Sequence, residues 1–145
     1  MPYTNATLHE SLRLANIGPT TIPHRALRDT EFRGYKIKKN SMLLANLMSV
    51  HLDENYWEDP EIFRPERFLN DNNEFVADPR VMAFGAGRRK CLGENLARNS
   101  HFLFVTCLFQ KFKFSLPPGD SPPSMLGRDG FIVTPPLFDI LITPR

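Results

Sequence analysis

One segment constrains this chain more than any other: Phe84-Gly85-Ala86-Gly87-Arg88-Arg89-Lys90-Cys91-Leu92-Gly93, which reads F-x-x-G-x-R-x-C-x-G. Five fixed positions, two of them rare residue types, arise by chance in fewer than about one window per million at average composition. The glycines make the segment a loop, and the apolar spacing behind it predicts a helix from about Cys91 to Phe109. Leu92, Leu96, Leu103 and Cys107 mark its expected buried stripe, with Ala97, Phe104 and Leu108 beside it. Whatever else the chain builds, it has to present a glycine-rich loop ending in a cysteine at the start of a long helix.

The residue types in that loop suit a thiolate held against a haem. A helix start offers free backbone N–H groups and the positive end of the dipole, both of which favour the charged sulfur of Cys91. N–H bonds to the sulfur tune the electron push that promotes O–O cleavage. Gly87 and Gly93 carry no side chain, so loop and first helical turn can lie against a flat porphyrin. Phe84 can shield the sulfur from water, and Arg89 offers a planar fork for a haem propionate. A lone cysteine at a helix start is more often a small buried hydrophobe; here the four matches around Cys91 favour the ligand. Cys107 lacks that context and is expected in the core.

The rest of the chain reads as one globular unit. It has 145 residues, 41% apolar and 23% charged, an ordinary mix for a single domain. The net charge of +2 gives no ground for a nucleic-acid partner. The longest apolar runs, Met42–Val50 and Phe102–Phe109, fall short of the ~20 residues that span a bilayer, and the N-terminus shows no signal peptide. The chain as given therefore reads as soluble or peripheral, with reduced thiols. A helix capped by Thr4 or Asn5 is expected to run to about Ala15, with Leu8, Leu12 and Ala15 on one face, ending at Gly18-Pro19. Short strands follow: Thr30–Tyr35, a turn within Gly34–Asn40, then Met42–Val50, with Asn40 suited to a left-handed turn. The prolines concentrate at 60–79 and 117–144, which predicts a meander over 51–83 with one helical turn near Leu52–Trp57. The tail is expected to hold a strand at Lys111–Leu116 and a hairpin from Phe131 through Pro135-Pro136 to Ile142.

The loop resembles the haem-binding signature of the cytochromes P-450, and two further segments join it in the family's order. Glu10-Ser11-Leu12-Arg13 matches E-x-x-R, and Pro65-Glu66-Arg67-Phe68 matches P-E-R-F. Each alone is weak, since a Glu and an Arg three apart on a helix usually form a surface pair. In the family, Arg67 docks on the Glu10–Arg13 pair and locks the meander to the helix. The resemblance covers essentially the whole chain and is nearest to microsomal, animal-type members that oxidise drugs and steroids. It implies an α+β fold: the C-terminal part of the cytochrome P-450 fold, incomplete, with two main helices, short β-hairpins, a meander and the cysteine-ligand loop. Residues 1–145 would be the C-terminal part of a single haem-binding monooxygenase domain, whose missing N-terminal portion holds the membrane anchor and the distal helix.

The resemblance further implies haem b (iron protoporphyrin IX) with Cys91 as axial iron ligand and with Arg89 and His24 on the propionates. No other catalytic residue is expected within the chain. Pro23-His24 resembles the family's propionate-reaching site; a solvent-facing strand position is the other reading of His24. Ile17–Pro23 and Gly130–Pro135 resemble substrate-contacting segments, so Thr21, Ile22, Phe131 and Ile132 are candidate pocket residues, a core role remaining open for Phe131. Partners by resemblance are a lipophilic small molecule, O2, and an NADPH-dependent flavoprotein reductase at the proximal face. Arg88 and Lys90 are candidates for its docking patch, or else two solvated cations. The implied location is the cytosolic face of the endoplasmic reticulum membrane. Asn99-Ser100-His101 depart from the family's usual Met-Glu after Ala97-Arg98, and His101 reads as a surface residue. Two rivals stand beside the monooxygenase: a haem-thiolate isomerase or dehydratase that rearranges peroxides, and a truncated, non-catalytic fragment.

Overall fold

A proline sets the first helix. In the computed structural model, which describes residues 1–145 except Leu126, Asp129 and Phe131, α1 spans Pro2–Ala15 with Met1 as its N-cap. It begins before the expected Thr4 or Asn5 because Pro2 lacks an N–H that the first turn would leave unpaired, and its φ already suits a helix. The end comes at Asn16, left-handed at φ 38°, two residues ahead of Gly18. The expected face of Leu8, Leu12 and Ala15 is only part of what is covered, with Leu12 half-buried against the core. Ala6, His9, Glu10 and Arg13 are buried together with Leu8, while Ala15 is exposed. Spacings of three and four still hold; they run along a polar stripe, because the meander brings backbone groups and a cation to meet it. The 3-10 turn Pro65–Phe68 lies against α1. Ala6, Trp57, Phe68 and Val81 make the core, with Leu12, Leu69 and Phe75 packed around them.

Six short strands pair two by two among the described residues. β1 (His24–Arg25) runs antiparallel to β4 (Met42–Leu43), and β2 (Thr30–Phe32) forms a hairpin with β3 (Tyr35–Ile37). Arg33 and Gly34, with φ 49° and 84°, make its two-residue turn, so the expected strand Thr30–Tyr35 is split by the glycine. Asn40 is left-handed at φ 69°, as its residue type led one to expect. The apolar run Met42–Val50 is not one strand. β4 ends at Leu43 and the short helix α2 takes Met48–His51, ahead of the expected helical turn. Asp53 O still accepts from Trp57 N–H at 2.8 Å, a single turn inside Leu52–Trp57.

Helix α3 spans Glu94–Lys111 with Gly93 as N-cap, so Cys91 stands before the helix and not in its first turn. None of its residues is buried: Leu96, Leu103, Phe104 and Leu108 face outward, and Leu92, just ahead of the helix, is fully exposed. Cys107 is exposed as well, which corrects its expected core position. The apolar stripe is present in the sequence, but nothing among the described residues covers it; α3 meets α1 through its polar side, at Arg98 and His9. After α3, β5 (Phe112–Ser115) pairs with β6 (Leu141–Pro144) in the register Phe112↔Pro144 to Ser115↔Leu141. That pairing replaces the expected tail hairpin. Pro135 and Pro136 cannot donate to a ladder, the one bridge nearby among the described residues is Arg128↔Thr134, and Phe131 lies outside the described residues.

Candidate functional site

The cysteine loop is closed by its own backbone. Met82 O accepts from Gly85 N–H at 2.8 Å, Gly87 O from Lys90 N–H at 3.2 Å, and Phe84 O from Cys91 N–H at 2.9 Å. Gly87 takes φ 70°, and a Cβ built there would meet nothing within 4 Å, so the glycine serves the backbone and the ground beyond it is open. A Cβ on Gly93 would lie 3.9 Å from Cys91 Sγ, so the bare glycine leaves the flank of the sulfur clear. The Cys91 side chain is exposed. Phe84 is half-buried, with the Arg98 guanidinium 5.3 Å above its ring.

The other sequence candidates are dispersed around this loop. Arg89 ends the 3-10 turn Gly87–Arg89 and is exposed, and His24 is exposed on β1 opposite Leu43. Thr21 Oγ1 accepts from Ala45 N–H at 3.0 Å, while Ile22 and Ile132 are exposed. Ile17 O accepts from Val133 N–H at 2.9 Å, which joins the two segments read as substrate-facing. Lys90 is tied down: its Nζ lies 2.6 Å from Glu94, whose other oxygen takes Arg98 Nε at 2.9 Å. Burial pushes the Glu94 carboxyl up, but these two cations outweigh it and hold it below the usual range. Arg88 is exposed, without an ion pair among the described residues. His101 is half-buried, which lowers its tendency to protonate.

Glu10, Arg13 and Arg67 meet under the meander. Arg13 is bidentate on Glu10, both contacts 2.7 Å, and both side chains are fully buried. Glu10 Oε1 also accepts from Arg64 N–H at 3.0 Å. Arg67 Nε comes within 3.5 Å of the same oxygen without hydrogen-bond geometry, while its Nη2 donates to Asp59 O at 2.6 Å. Burial and the neighbouring Arg64 pull the Arg67 guanidinium down, and Glu10 opposes them. Arg13 Nη1 reaches the carbonyl of His51 at 2.7 Å.

Two residues that sequence reasoning passed over complete the support of the loop. His51 Nε2 accepts from Met82 N–H at 2.8 Å, and His9 Nε2 from Asp78 N–H at 3.3 Å. For His9 a signal existed: it falls in helical register with Ala6, Glu10 and Arg13. The site suits a flat, apolar group bearing a soft metal. A reachable thiol sits on a glycine-walled loop, next to uncovered apolar side chains and an uncommitted arginine, and thiolate sulfur prefers soft or borderline metals.

A family profile described as Cytochrome P-450 matches residues 1–142. Cytochrome P-450 2D4 of Rattus norvegicus is 48% identical over 145 residues, covering all of this chain and 29% of the relative. Cytochrome P-450 2K4 of Oncorhynchus mykiss is 53% identical over 119 residues, 82% of this chain and 24% of the relative. A solved zebrafish cytochrome P-450, in a structure described as containing abiraterone, matches with a TM-score of 0.89 and 39% identity over all of this chain and 33% of its own. The chain thus spans less than a third of the length of these curated relatives.

Proposed function

The chain belongs to the cytochrome P-450 family, and on that premise we propose that it is the C-terminal part of a haem-thiolate monooxygenase whose iron ligand is Cys91. The observation that carries the reading is the closed loop of residues 84–91, which holds an exposed sulfur between Gly87 and Gly93. Haem, when bound, supplies the redox-active iron that activates O2. The chain's own residues do the rest of the proximal work. Cys91 provides the charged sulfur, and the Cys91 amide fixes the loop through Phe84 O. Phe84 is the candidate shield for the now exposed sulfur once haem is bound, and Arg89 and His24 are the candidates to contact the propionates. Glu10, Arg13 and Arg67 hold the meander to α1. Thr21, Ile22 and Ile132 are candidates for the substrate wall.

The substrate class is lipophilic, with electrons drawn from NADPH through a flavoprotein reductase that docks near Arg88. The proposed location is the endoplasmic reticulum membrane; no helix among the described residues is long and apolar enough to cross one. The uncovered apolar face of α3 supports a further statement: the 145 residues alone do not turn over. The test joins this chain to the upstream portion of a relative and supplies reductase, NADPH and a panel of lipophilic probes. Product formation that disappears in Cys91→Ser is expected, with none from residues 1–145 alone. Oxidation that persists without Cys91 would contradict the proposal, and peroxide rearrangement without reductase would favour an isomerase.

A further inference from the structure

Between the buried charge pair of α1 and the cysteine loop lies one fully buried side chain, His51, the last residue of α2. Its carbonyl accepts from Arg13 Nη1 at 2.7 Å, and its ring Nε2 accepts from Met82 N–H at 2.8 Å. Met82 O in turn accepts from Gly85 N–H, and Phe84 O from Cys91 N–H. The hydrogen bonds therefore lead from the Glu10–Arg13 pair through His51 to the base of the loop, whose closing bond is made by the Cys91 amide. We propose that His51 is a positioning residue, a neutral imidazole that transmits the placement of the buried Glu10–Arg13 pair to the loop bearing Cys91.

The geometry dictates the protonation state. Met82 N–H has a hydrogen to give, so Nε2 must present its lone pair and the ring proton must sit on Nδ1. A second proton would set N–H against N–H at the foot of the loop. The surroundings oppose that proton. Burial comes first, then the Arg13 guanidinium and the His9 ring on α1, and together they push His51 down to about 4. His9 repeats the arrangement at the other end of the same strap. It is wedged edge-on against Phe68 and Phe75 and accepts from Asp78 N–H. The charged groups facing His9 are Arg98 from α3, at 3.5 Å from Nδ1, and Asp78 and Glu10. Tyr56 fixes Asp78 from outside, its hydroxyl donating to the carboxylate at 2.6 Å. Residues 78–82, which feed the cysteine loop, are thus gripped at both ends by imidazoles that work only when neutral.

This inference deepens the haem-thiolate reading, since the loop it sets is the one that bears Cys91, but its test needs no haem. The imidazole nitrogens of His51 and the amide exchange of Met82 and Cys91 are to be followed by NMR in the 145-residue chain from pH 7 to below pH 4. At pH 7 His51 should be the Nδ1-protonated tautomer, with both amides protected at least about tenfold over unstructured peptide. Both should lose that protection in step with protonation of His51, near pH 4. His51→Gln, whose side-chain oxygen can accept the same N–H, should keep both amides protected and remove the step. His51→Leu should expose Met82 and Cys91 while amides inside α1 keep their protection; if α1 melts as well, the glutamine variant and the wild-type titration decide. A proton on Nε2 at pH 7, unprotected amides in the wild type, or protection that ignores His51 titration would overturn the proposal. A chain that passes this test yet never gives a thiolate-ligated haem would refute the ligand and leave the role of His51 standing.

Discussion

At Gly87 the backbone sits at φ 70° with open space where a Cβ would stand, whereas Gly93 has an ordinary φ of −89° and a Cβ position 3.9 Å from Cys91 Sγ. The two glycines of the motif therefore have different reasons to be there. Gly87→Ala should lower the thermal unfolding midpoint through left-handed strain of about 1–2 kcal/mol, with no clash contributing. Gly93→Ala should cost less, about 0.5–1 kcal/mol as a weaker N-cap, and act chiefly on haem affinity, through the methyl beside the sulfur. Equal losses of stability from both variants would contradict this division. The motif made the loop that ends at Cys91 legible from sequence alone. The two histidines beneath the loop were not, because a buried imidazole that accepts a backbone N–H leaves no spacing pattern, and its partner is supplied by a distant turn.

The elements carry a similar lesson. The positions of α1 and β5 and the left-handed Asn40 follow from local preferences and were readable; periodicity cannot say which neighbour a face will meet. On α1 the stripe that meets the meander is Ala6, His9, Glu10 and Arg13, so the charges went inward and Ala15 outward. That inversion sets the cost of breaking the network. Glu10→Ala leaves Arg13 buried without its carboxylate and should cost ~3–5 kcal/mol in chemical denaturation. Arg67→Ala should cost less, about 1–2 kcal/mol, because Arg13 keeps its bidentate grip on Glu10 and Arg67 chiefly loses its bond to Asp59 O. The reverse order would show that Arg67 is the principal partner of Glu10.

The buried histidines of α1 and α2 also give stability a pH dependence. Both are lowered in the folded chain, His51 from 6.5 to about 4, so both are neutral when folded and take up protons on unfolding in mild acid. Their contribution is fully present above about pH 6.5 and declines as the pH falls toward the folded value. For His51 the loss is on the order of 3 kcal/mol across that window. Denaturation midpoints should fall steadily from pH 7 to 4, with a shallower slope in His51→Gln. Stability that rises with acid over this range would contradict the burial of neutral rings.

Over the whole molecule, the outward apolar face of α3 is the feature that local reasoning misjudged. The spacing predicts a buried stripe of Leu92, Leu96, Leu103 and Cys107 with Ala97, Phe104 and Leu108 beside it, yet all of these are exposed, because a stripe is buried only where a partner exists. This chain corresponds to 29% of its rat relative. Exposed apolar stripes mark interaction surfaces, and this one follows directly from the cysteine loop. What Cys91 holds is therefore the central question. The direct measurement is the absorption spectrum of the reduced, carbon-monoxide-bound protein, with this chain joined to the upstream portion of a relative. The account predicts the red-shifted Soret band of thiolate ligation in the wild type and in Cys107→Ser, and its loss in Cys91→Ser. A band that survives without Cys91, or that vanishes with Cys107, would contradict it.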